Sequence, residues 1–325
     1  MYRFAIMGLG AIARKFASDL KLVEGATLTS VASRSQERAD AFAEEFNVRY
    51  AAGSYEELFE GPQLHAVYIA TPHTSHTALV KMCMDHDLPV ICEKPMGINL
   101  KEVQELVDLA RHKKVYLMEA LWTRFLPSFQ AAKRHIDAGA IGKVEGLRAD
   151  FGFKTGAHSR ERLLKLELGG GALLDIGIYP VFLAHAMFGA PKHITAVARF
   201  SEGGVDIDDT IVLEHEGGQI ATLHCTFLAK TKTEAVIYGS TGTLNWDEPW
   251  YRQSNFTIKK DDSEEELRYV AKQRGFGYAF EAQAMVEDLR AGQTESPLWS
   301  LDDSLTLHAT LTKIRELIGL KYPME

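Results

Sequence analysis

The first spacing with chemical meaning lies near the start of the chain, in Gly8-Leu9-Gly10-Ala11-Ile12-Ala13. The motif follows a short apolar run and opens an amphipathic stretch, so it joins a predicted strand to a predicted helix. In that setting the first glycine allows a tight turn, the second lets the backbone approach a pyrophosphate, and Ala13 replaces the third glycine. The helix start offers N–H groups to phosphates. We expect Gly8, Gly10, Ala11 and Ile12 to bind a dinucleotide; a purely structural turn is the alternative.

The end of the second predicted strand bears on the choice of dinucleotide. An NAD-binding chain usually has Asp or Glu here to accept hydrogen bonds from the ribose hydroxyls. This chain has Ser33-Arg34-Ser35, with Arg38 one helical turn further on. Guanidinium and hydroxyl groups suit a 2′-phosphate, so the pattern predicts NADP(H) bound through Ser33, Arg34 and Arg38. The alternative is two solvated arginines and a Ser35 that only caps a helix.

Two further polar segments follow the next strands, Thr71-Pro72-His73-Thr74-Ser75-His76 and Glu93-Lys94-Pro95. Ligands of open α/β sheets bind beyond the carboxyl ends of the strands, so both segments are expected near the nicotinamide. The predicted cofactor contacts are Thr71, Pro72, His73, His76, Glu93 and Lys94. A metal pair at His73 and His76 has no third ligand nearby, and no metal is predicted. Lys94 stands between an acid and a proline that favours extended backbone, an unusual place for a merely solvated lysine.

These segments need a scaffold that brings strand ends together. The first 120 residues alternate short apolar runs with amphipathic stretches, as in a doubly wound parallel sheet of the Rossmann type. The predicted strands are 4–7, 27–32, 66–70, 90–92 and 115–118, and the predicted helices are 12–20, 36–46, 76–85 and 100–113.

Beyond Met118 the pattern changes to β-rich runs separated by glycine-containing turns, which favours a large, mainly antiparallel open sheet in an α+β domain. The predicted strands are 144–153, 193–200, 210–214, 220–227 and 234–239, and the predicted helices are 128–138, 172–188, 278–291 and 301–317. We therefore predict a cofactor-binding domain over 1–120 and a domain for substrate binding and oligomerisation over 121–325.

Composition narrows the classes of function. The 325 residues are 46% hydrophobic and 25% charged, which suits two ordinary domains. A formal net charge of −8 argues against nucleic acid as a partner. The odd count of three cysteines suits neither a disulfide framework nor a zinc site. The glycine-rich start is too short to span a membrane, so a cytoplasmic protein with no membrane partner is expected.

The motifs together resemble a known family. Gly8-x-Gly10-x-x-Ala13, Ala70-Thr71-Pro72-x-x-x-His76 and Glu93-Lys94-Pro95 have the order and spacing of the Gfo/Idh/MocA oxidoreductases, and the similarity extends through residues 169–180. Many members have His at the position of Tyr179. With Tyr there, and with the segment 118–125, the chain is most similar to the branch of dimeric dihydrodiol dehydrogenases and NADP-dependent D-xylose dehydrogenases.

The resemblance implies hydride transfer between a nicotinamide and a carbinol or carbonyl carbon, which needs a proton acceptor or donor at the oxygen. Tyr179 is the implied general acid/base, and the Lys94 ammonium would favour its phenolate form. Asp175 precedes Tyr179 by one helical turn and would orient substrate hydroxyls or Lys94. The structural alternative is a helix-starting Asp after a glycine run and a core Tyr.

Aromatic and basic residues at the predicted domain junction complete the candidate site. Trp122 and Arg124 are expected to contact cofactor, and Trp122 and Phe125 to contact substrate together with Asp175 and Tyr179. Core packing and a surface ion pair are the alternative. Weaker pocket candidates, for which ordinary packing is the alternative, are Phe153, His158, Trp250 and Tyr278.

Two classes of function stay open at this stage. One is an enzyme acting on a sugar or cyclic diol, and the other is a dinucleotide-binding regulator with the same fold and no turnover. The joint presence of Lys94 and Tyr179 favours the enzyme. The family resemblance also implies a homodimer formed through the C-terminal sheet.

Overall fold

The computed structural model describes residues 1–156 and 161–325, which form two compact units. The first unit comprises Met1–Phe125 and Gln273–Leu305, and the second comprises Leu126–Lys272 and Thr306–Glu325. Nothing in the sequence pattern indicated that the segment 273–305 packs with the first unit. The functional domains 1–120 and 121–325 stay a prediction. His158 lies outside the described residues.

The first unit contains a six-stranded parallel sheet in the order β3-β2-β1-β4-β5-β6. Its strands are β1 (Tyr2–Met7), β2 (Ala26–Ala32), β3 (Tyr50–Ala52), β4 (Ala66–Ile69), β5 (Val90–Glu93) and β6 (Leu117–Ala120). The central strands β1 and β4 are buried over Phe4–Met7 and Ala66–Ile69, because helices cover both faces of such a sheet. The strand order reverses between β1 and β4, which is where doubly wound sheets bind their ligands. The predicted Rossmann architecture is confirmed.

Eight α-helices are described. They are α1 (Ala11–Leu20), α2 (Gln36–Phe46), α3 (His76–Asp85), α4 (Leu100–Lys113), α5 (Pro127–Asp137), α6 (Ile178–Phe188), α7 (Tyr278–Arg290) and α8 (Leu301–Ile318). Side-chain caps fix two of their starts: Ser35 accepts a hydrogen bond from the Arg38 N–H, and Asn99 accepts one from the Glu102 N–H. Such caps satisfy backbone donors that the helix itself leaves without an acceptor.

The second unit is built on an eight-stranded sheet in the order β14-β13-β12-β11-β7-β10-β9-β8, antiparallel except for the β7–β10 pair. Its strands are β7 (Val144–Gly152), β8 (Pro191–Phe200), β9 (Asp206–His215), β10 (Ile220–Thr226), β11 (Ala235–Gly239), β12 (Gly242–Trp246), β13 (Phe256–Lys260) and β14 (Glu266–Tyr269). Residues along these strands alternate between buried and more exposed positions, as expected of a sheet with one covered face. The predicted mainly antiparallel sheet is confirmed.

The segment before and within α6 differs from its prediction. A continuous α-helix was expected over 172–188, but Leu173–Gly177 forms a π-helical turn ahead of α6. Such turns occur frequently at functional sites. The helical segment Leu166–Phe188 is long and apolar enough to cross a bilayer, yet most of its apolar part is buried inside the protein. A segment buried in this way belongs to the hydrophobic core of the second unit.

Candidate active site

The glycine motif lies at the point where the strand order of the parallel sheet reverses. Gly8 follows β1 with φ +86°, and a Cβ there would lie 2.7 Å from Thr71 Cγ2 and 2.8 Å from the Ala70 carbonyl oxygen. The Ala70 N–H donates to the Met7 carbonyl at 2.8 Å. Only glycine suits both this backbone conformation and this close approach. The first and second motifs are therefore in contact.

Gly10 has the opposite surroundings. It precedes α1 with φ −87°, and no described atom lies within 4 Å of the position that its Cβ would occupy. The buried Thr71 hydroxyl has no hydrogen-bond partner among the described residues. Open space at a helix start and an unsatisfied buried hydroxyl fit the phosphates of a dinucleotide. The residues thus suit the cofactor that the motif predicts.

The end of β2 carries two exposed arginines. Arg34 and Arg38 both extend to the surface, while Ser35 caps α2 and the buried Ser33 donates its N–H to the Ala52 carbonyl at 3.1 Å. Burial raises the pKa of the Tyr55 hydroxyl, and the positive charges of Arg34 and Arg38 oppose that rise. Both guanidinium groups therefore act electrostatically on the same hydroxyl group, that of Tyr55, which the sequence motifs do not include.

His76 links the segments after β4 and β5. It is fully buried, with Nδ1 2.8 Å from the Pro95 carbonyl oxygen and Nε2 3.0 Å from the Thr71 carbonyl oxygen. The His73 ring is 5.9 Å from it, centroid to centroid. Within residues 1–156 and 161–325, no three or more His, Cys, Asp or Glu side chains are placed to hold a metal. His76 fixes loop geometry, and its contact with the cofactor stays a prediction.

The loop that carries Lys94 is held by two acids. Glu93 accepts hydrogen bonds from the Tyr68 hydroxyl and from the Lys94 backbone N–H. Glu119, only 1% exposed, accepts from the Met96 N–H at 2.9 Å and from the Ser304 hydroxyl at 2.7 Å. Charge-assisted hydrogen bonds of this kind are about twice as strong as neutral ones. Sequence reasoning missed Glu119, whose signal was an acid inside an apolar strand.

A third acid in the first unit, Glu281 of α7, is completely buried. Neither carboxyl oxygen has a hydrogen-bond partner among the described residues. Burial, followed by the charges of Glu93 and Asp19, raises its pKa well above the ordinary value. Burial therefore favours the neutral form of the Glu281 carboxyl group, and its sequence position gave no hint of this.

The aromatic residues of the segment after β6 are packed rather than exposed. Trp122 stacks on Tyr278 with ring centroids 4.9 Å apart and planes 2° from parallel, and Phe125 is also buried. Arg124 is half-buried. The stack brings together two predicted candidates that are distant in the chain, and their contacts with cofactor or substrate stay predictions.

In the second unit Tyr179 lies in an aromatic wall. It is 7% exposed, and its ring centroid is 5.6 Å from that of Phe151 and 5.1 Å from that of Tyr251. Phe151 stacks on Tyr251 at 4.3 Å, and Phe153 lies edge-on to Phe151 at 6.1 Å. Sequence reasoning included Phe153 but missed Phe151 and Tyr251.

Asp175 is ion-paired in the same unit. Its Oδ1 lies 2.7 Å from Arg162 Nη2, and the Asp175 side chain is 14% exposed. A charge-assisted hydrogen bond of this length favours the ionised carboxylate. Trp250, in contrast, is a core residue whose indole N–H donates to the Asp150 carbonyl. Lys94 belongs to the first unit and Asp175 and Tyr179 to the second, and their convergence on one substrate stays a prediction.

Comparison with known proteins adds the decisive observation. Residues 2–121 match the profile described as "Oxidoreductase family, NAD-binding Rossmann fold", and residues 129–245 match "GFO/IDH/MocA C-terminal domain". Human trans-1,2-dihydrobenzene-1,2-diol dehydrogenase is 34% identical over 331 residues, covering 99% of this chain and 98% of the human one. The chain belongs to the Gfo/Idh/MocA oxidoreductase family.

Solved structures of similar proteins have the same fold. The 3-ketoreductase KijD10 from Actinomadura kijaniata, in complex with NADP and TDP-benzene, has a TM-score of 0.87 at 26% identity, with 98% of each chain covered. An oxidoreductase from Agrobacterium radiobacter, in complex with NAD+, L-tartaric acid and magnesium, has a TM-score of 0.85 at 22% identity, covering 98% of this chain and 96% of the other. The latter similarity shows the fold alone. This family member is thus an oxidoreductase of the nicotinamide-dinucleotide-binding type.

Proposed function

We propose that this protein is an NADP(H)-dependent dehydrogenase or reductase that interconverts CH–OH and C=O on a sugar or a cyclic diol. The observation that carries the proposal is the position of Tyr179, a nearly buried phenol in an aromatic wall on a helix whose preceding turn carries the Asp175–Arg162 ion pair. The full-length similarity to dihydrodiol dehydrogenases supports the same class.

The wall and the ion pair favour a ring-shaped substrate with hydroxyl groups. In this proposal the half-buried Tyr251 ring, supported by its stack on Phe151, provides apolar contact for a substrate ring. The Asp175 carboxylate, fixed by Arg162, is a hydrogen-bond acceptor for a hydroxyl. In this proposal Phe125, Phe153, His158 and Trp122 contribute the remaining substrate contacts.

The chemistry divides between the cofactor and the protein. The nicotinamide, when bound, accepts or supplies the hydride. Tyr179 takes the hydroxyl proton during oxidation and returns it during reduction. A phenol has an ordinary pKa near 10, and the role proposed for the Lys94 ammonium is to favour the phenolate by Coulombic attraction. Asp175 holds a second substrate hydroxyl, which limits the orientations in which the carbinol hydrogen can face the cofactor.

NADP is proposed over NAD because the end of β2 has no acid to bind ribose hydroxyls. It has instead Arg34 and Arg38, both exposed and both acting electrostatically on Tyr55. Guanidinium groups bind a phosphate with two parallel hydrogen bonds. The NADP in the KijD10 complex is a precedent within a similar structure.

The test is a spectrophotometric assay that follows NADPH formation or consumption with pentoses, hexoses, cyclic diols and the corresponding ketones. We expect turnover with at least one carbinol, and a clear preference for NADP over NAD. Tight NADPH binding without turnover on any substrate would contradict the proposal and favour a dinucleotide-binding regulator.

We further propose a cytoplasmic homodimer. All three cysteines are buried thiols, which is compatible with a reducing compartment. Val197, Ile220 and Tyr238 are exposed apolar side chains on strands of the second sheet, and in this proposal they contribute to the interface. Sedimentation of the unaltered protein and of Val197→Asp tests the dimer: a monomeric unaltered protein would exclude it.

A further inference from the structure

Two buried acids underlie the turn that carries Asp175. Asp206 and Asp209 of β9 are both 0% exposed. Residues three apart on a regular strand face opposite sides of the sheet, but β9 has a bulge here: Arg199 pairs with Asp208 and Phe200 pairs with Asp206, which leaves Ile207 without a partner on β8. The bulge turns Asp206 and Asp209 to the same interior side.

The start of the π-helical turn is bonded directly to one of these acids, and its end is linked to the other through Cys225. At its start, Asp206 Oδ2 accepts the Leu173 N–H at 2.6 Å. At its end, a Cβ on Gly177 would lie 2.7 Å from Cys225 Sγ, and that thiol donates to Asp209 Oδ2 at 3.2 Å. Asp175 lies between these two points, and Tyr179 follows two residues after Gly177.

The glycine run before the turn is explained by the same packing. Gly171 has φ +128°, and a Cβ there would overlap Asp206 Oδ1. A Cβ on Gly170 would lie within 2.8 Å of three carbonyl oxygens, those of Arg162, Leu163 and Lys165. The run therefore lets the chain lie directly on Asp206.

One oxygen of each carboxyl group receives no hydrogen bond from the described residues. Asp206 Oδ1 and Asp209 Oδ1 have no hydrogen-bond donor among the described residues, although the two side chains are within hydrogen-bonding reach of each other. Two ionised carboxylates at this distance would repel, whereas one shared proton supplies the missing donor.

We propose that Asp206 and Asp209 are positioning residues that share one proton and together hold the π-helical turn, and so set the placement of Asp175 and Tyr179. The effect on catalysis rests on the proposed function of Tyr179. The anchoring of the turn does not.

The surroundings of the two acids act differently on their pKa values. Burial and then the charge of Asp206 raise the pKa of Asp209 to about 10. Burial also raises the pKa of Asp206, but the Leu173 N–H and the positive charge of Arg315 oppose that rise. The other titratable groups acting on the pair are Asp208, Cys225 and Tyr322. In this proposal Asp206 is the ionised member, because it accepts the Leu173 N–H at the helix start, where a negative charge is favourable.

The sign of the pH dependence follows from the raised pKa of Asp209. The folded state holds this proton more tightly than the unfolded chain does, so its contribution to stability is complete below the ordinary Asp pKa. It declines as pH rises toward about 10. An amide at position 209 cannot ionise and can donate to Asp206, so Asp209→Asn is expected to reduce this decline.

The experiment compares Asp206→Ala, Asp209→Ala and Asp209→Asn with the matched control Asp208→Asn. Asp208 is on the same strand but pairs outward with Arg199 and His224. Hydrogen–deuterium exchange of the 173–177 peptide, without substrate, is the primary measurement. We expect exchange about tenfold faster or more in Asp206→Ala, as loss of a hydrogen bond to a charged acceptor implies. The control should leave that peptide unchanged. If Asp206→Ala does not fold, Asp206→Asn should show a smaller increase in the same peptide.

Kinetics provides the second measurement. With an active substrate, we expect Asp209→Ala to lower kcat with little change in the KM for the cofactor, and Asp209→Asn to restore most of that loss. Unchanged exchange at 173–177 in both Asp206 variants would overturn the proposal, and so would identical behaviour of the Asp209 Ala and Asn variants. If exchange changes as expected but the unaltered protein turns over no substrate, the anchor is supported and the proposed function fails.

Discussion

Replacing each of the two motif glycines by alanine is predicted to have a different effect: Gly8→Ala should lower stability, and Gly10→Ala should weaken cofactor binding. Gly8→Ala places a Cβ in a left-handed backbone, 2.8 Å from the Ala70 carbonyl oxygen. The backbone conformation costs about 1–2 kcal/mol and the overlap about 1–3 kcal/mol more. We therefore expect a loss of roughly 2–5 kcal/mol in the free energy of unfolding and a Tm lower by roughly 5–15 °C.

Gly10→Ala should leave the apo-protein almost unaffected. Its φ of −87° is allowed to alanine, and no described atom lies within 4 Å of the new methyl group. The loss of a good capping residue and the gain from a less flexible unfolded chain are each below about 1 kcal/mol and of opposite sign. The methyl group would instead occupy the space that a pyrophosphate needs. Losing one charge-assisted hydrogen bond there costs about 1.5–3 kcal/mol, or roughly 10–100-fold in affinity.

The assay combines thermal unfolding without ligand and titration with NADPH, on both variants and the unaltered protein. The expected pattern is a low Tm for Gly8→Ala and a normal Tm with weak NADPH binding for Gly10→Ala. If Gly10→Ala binds NADPH as tightly as the unaltered protein, the pyrophosphate is not at this turn. If Gly8→Ala unfolds at the normal temperature, the steric argument is wrong.

Two further predictions concern cofactor choice and acid stability. Arg34→Ala should weaken NADP binding about tenfold or more and NAD binding much less, measured by titration with each cofactor; equal losses would count against a 2′-phosphate at Arg34. Burial and then the charge of His215 lower the pKa of His185 to about 3, so its contribution to stability is present above the ordinary pKa of about 6.5 and is lost as pH falls toward 3. His185→Gln should therefore lose less stability than the unaltered protein over that interval in urea titrations, and parallel pH curves would refute this.

Local signals predicted the first sheet well where caps and periodicity agreed. Helices α2, α3 and α4 have the bounds that the pattern indicated, and Ser35 and Asn99 cap two of them. Strand β3 was missed because three residues carry too short a pattern to register. Strand β6 was placed two residues early, because Glu119 resembles a strand end when its buried partners are unknown.

The elements of the second unit were harder to predict, because they depend more on residues that are distant in the chain. Strands β12, β13 and β14 were not predicted as strands, since each is short and is defined mainly by its neighbours. The π-helical turn was predicted as ordinary helix because no local signal in the sequence distinguishes the two. Asp206 and Asp209 were not identified from the sequence, because no local pattern marks the bulge in β9 that turns both inward.

In the candidate site, too, residues of local motifs were predicted and their distant partners were not. Motif residues such as Gly8 and Thr71 were identified from sequence and do lie in contact. Side chains that hold the motif residues, including Glu119, Arg162 and Tyr251, were missed because no local pattern marks a partner that is distant in the chain.

The central claim is that Tyr179 moves the substrate proton, and steady-state kinetics of Tyr179→Phe with NADPH titration tests it most directly. The variant keeps the aromatic packing against Phe151 and Tyr251 and removes only the hydroxyl. We expect kcat to fall by about 10²–10⁴-fold, the usual contribution of a general acid/base, with unchanged NADPH affinity. A variant with full turnover and normal cofactor binding would contradict the account.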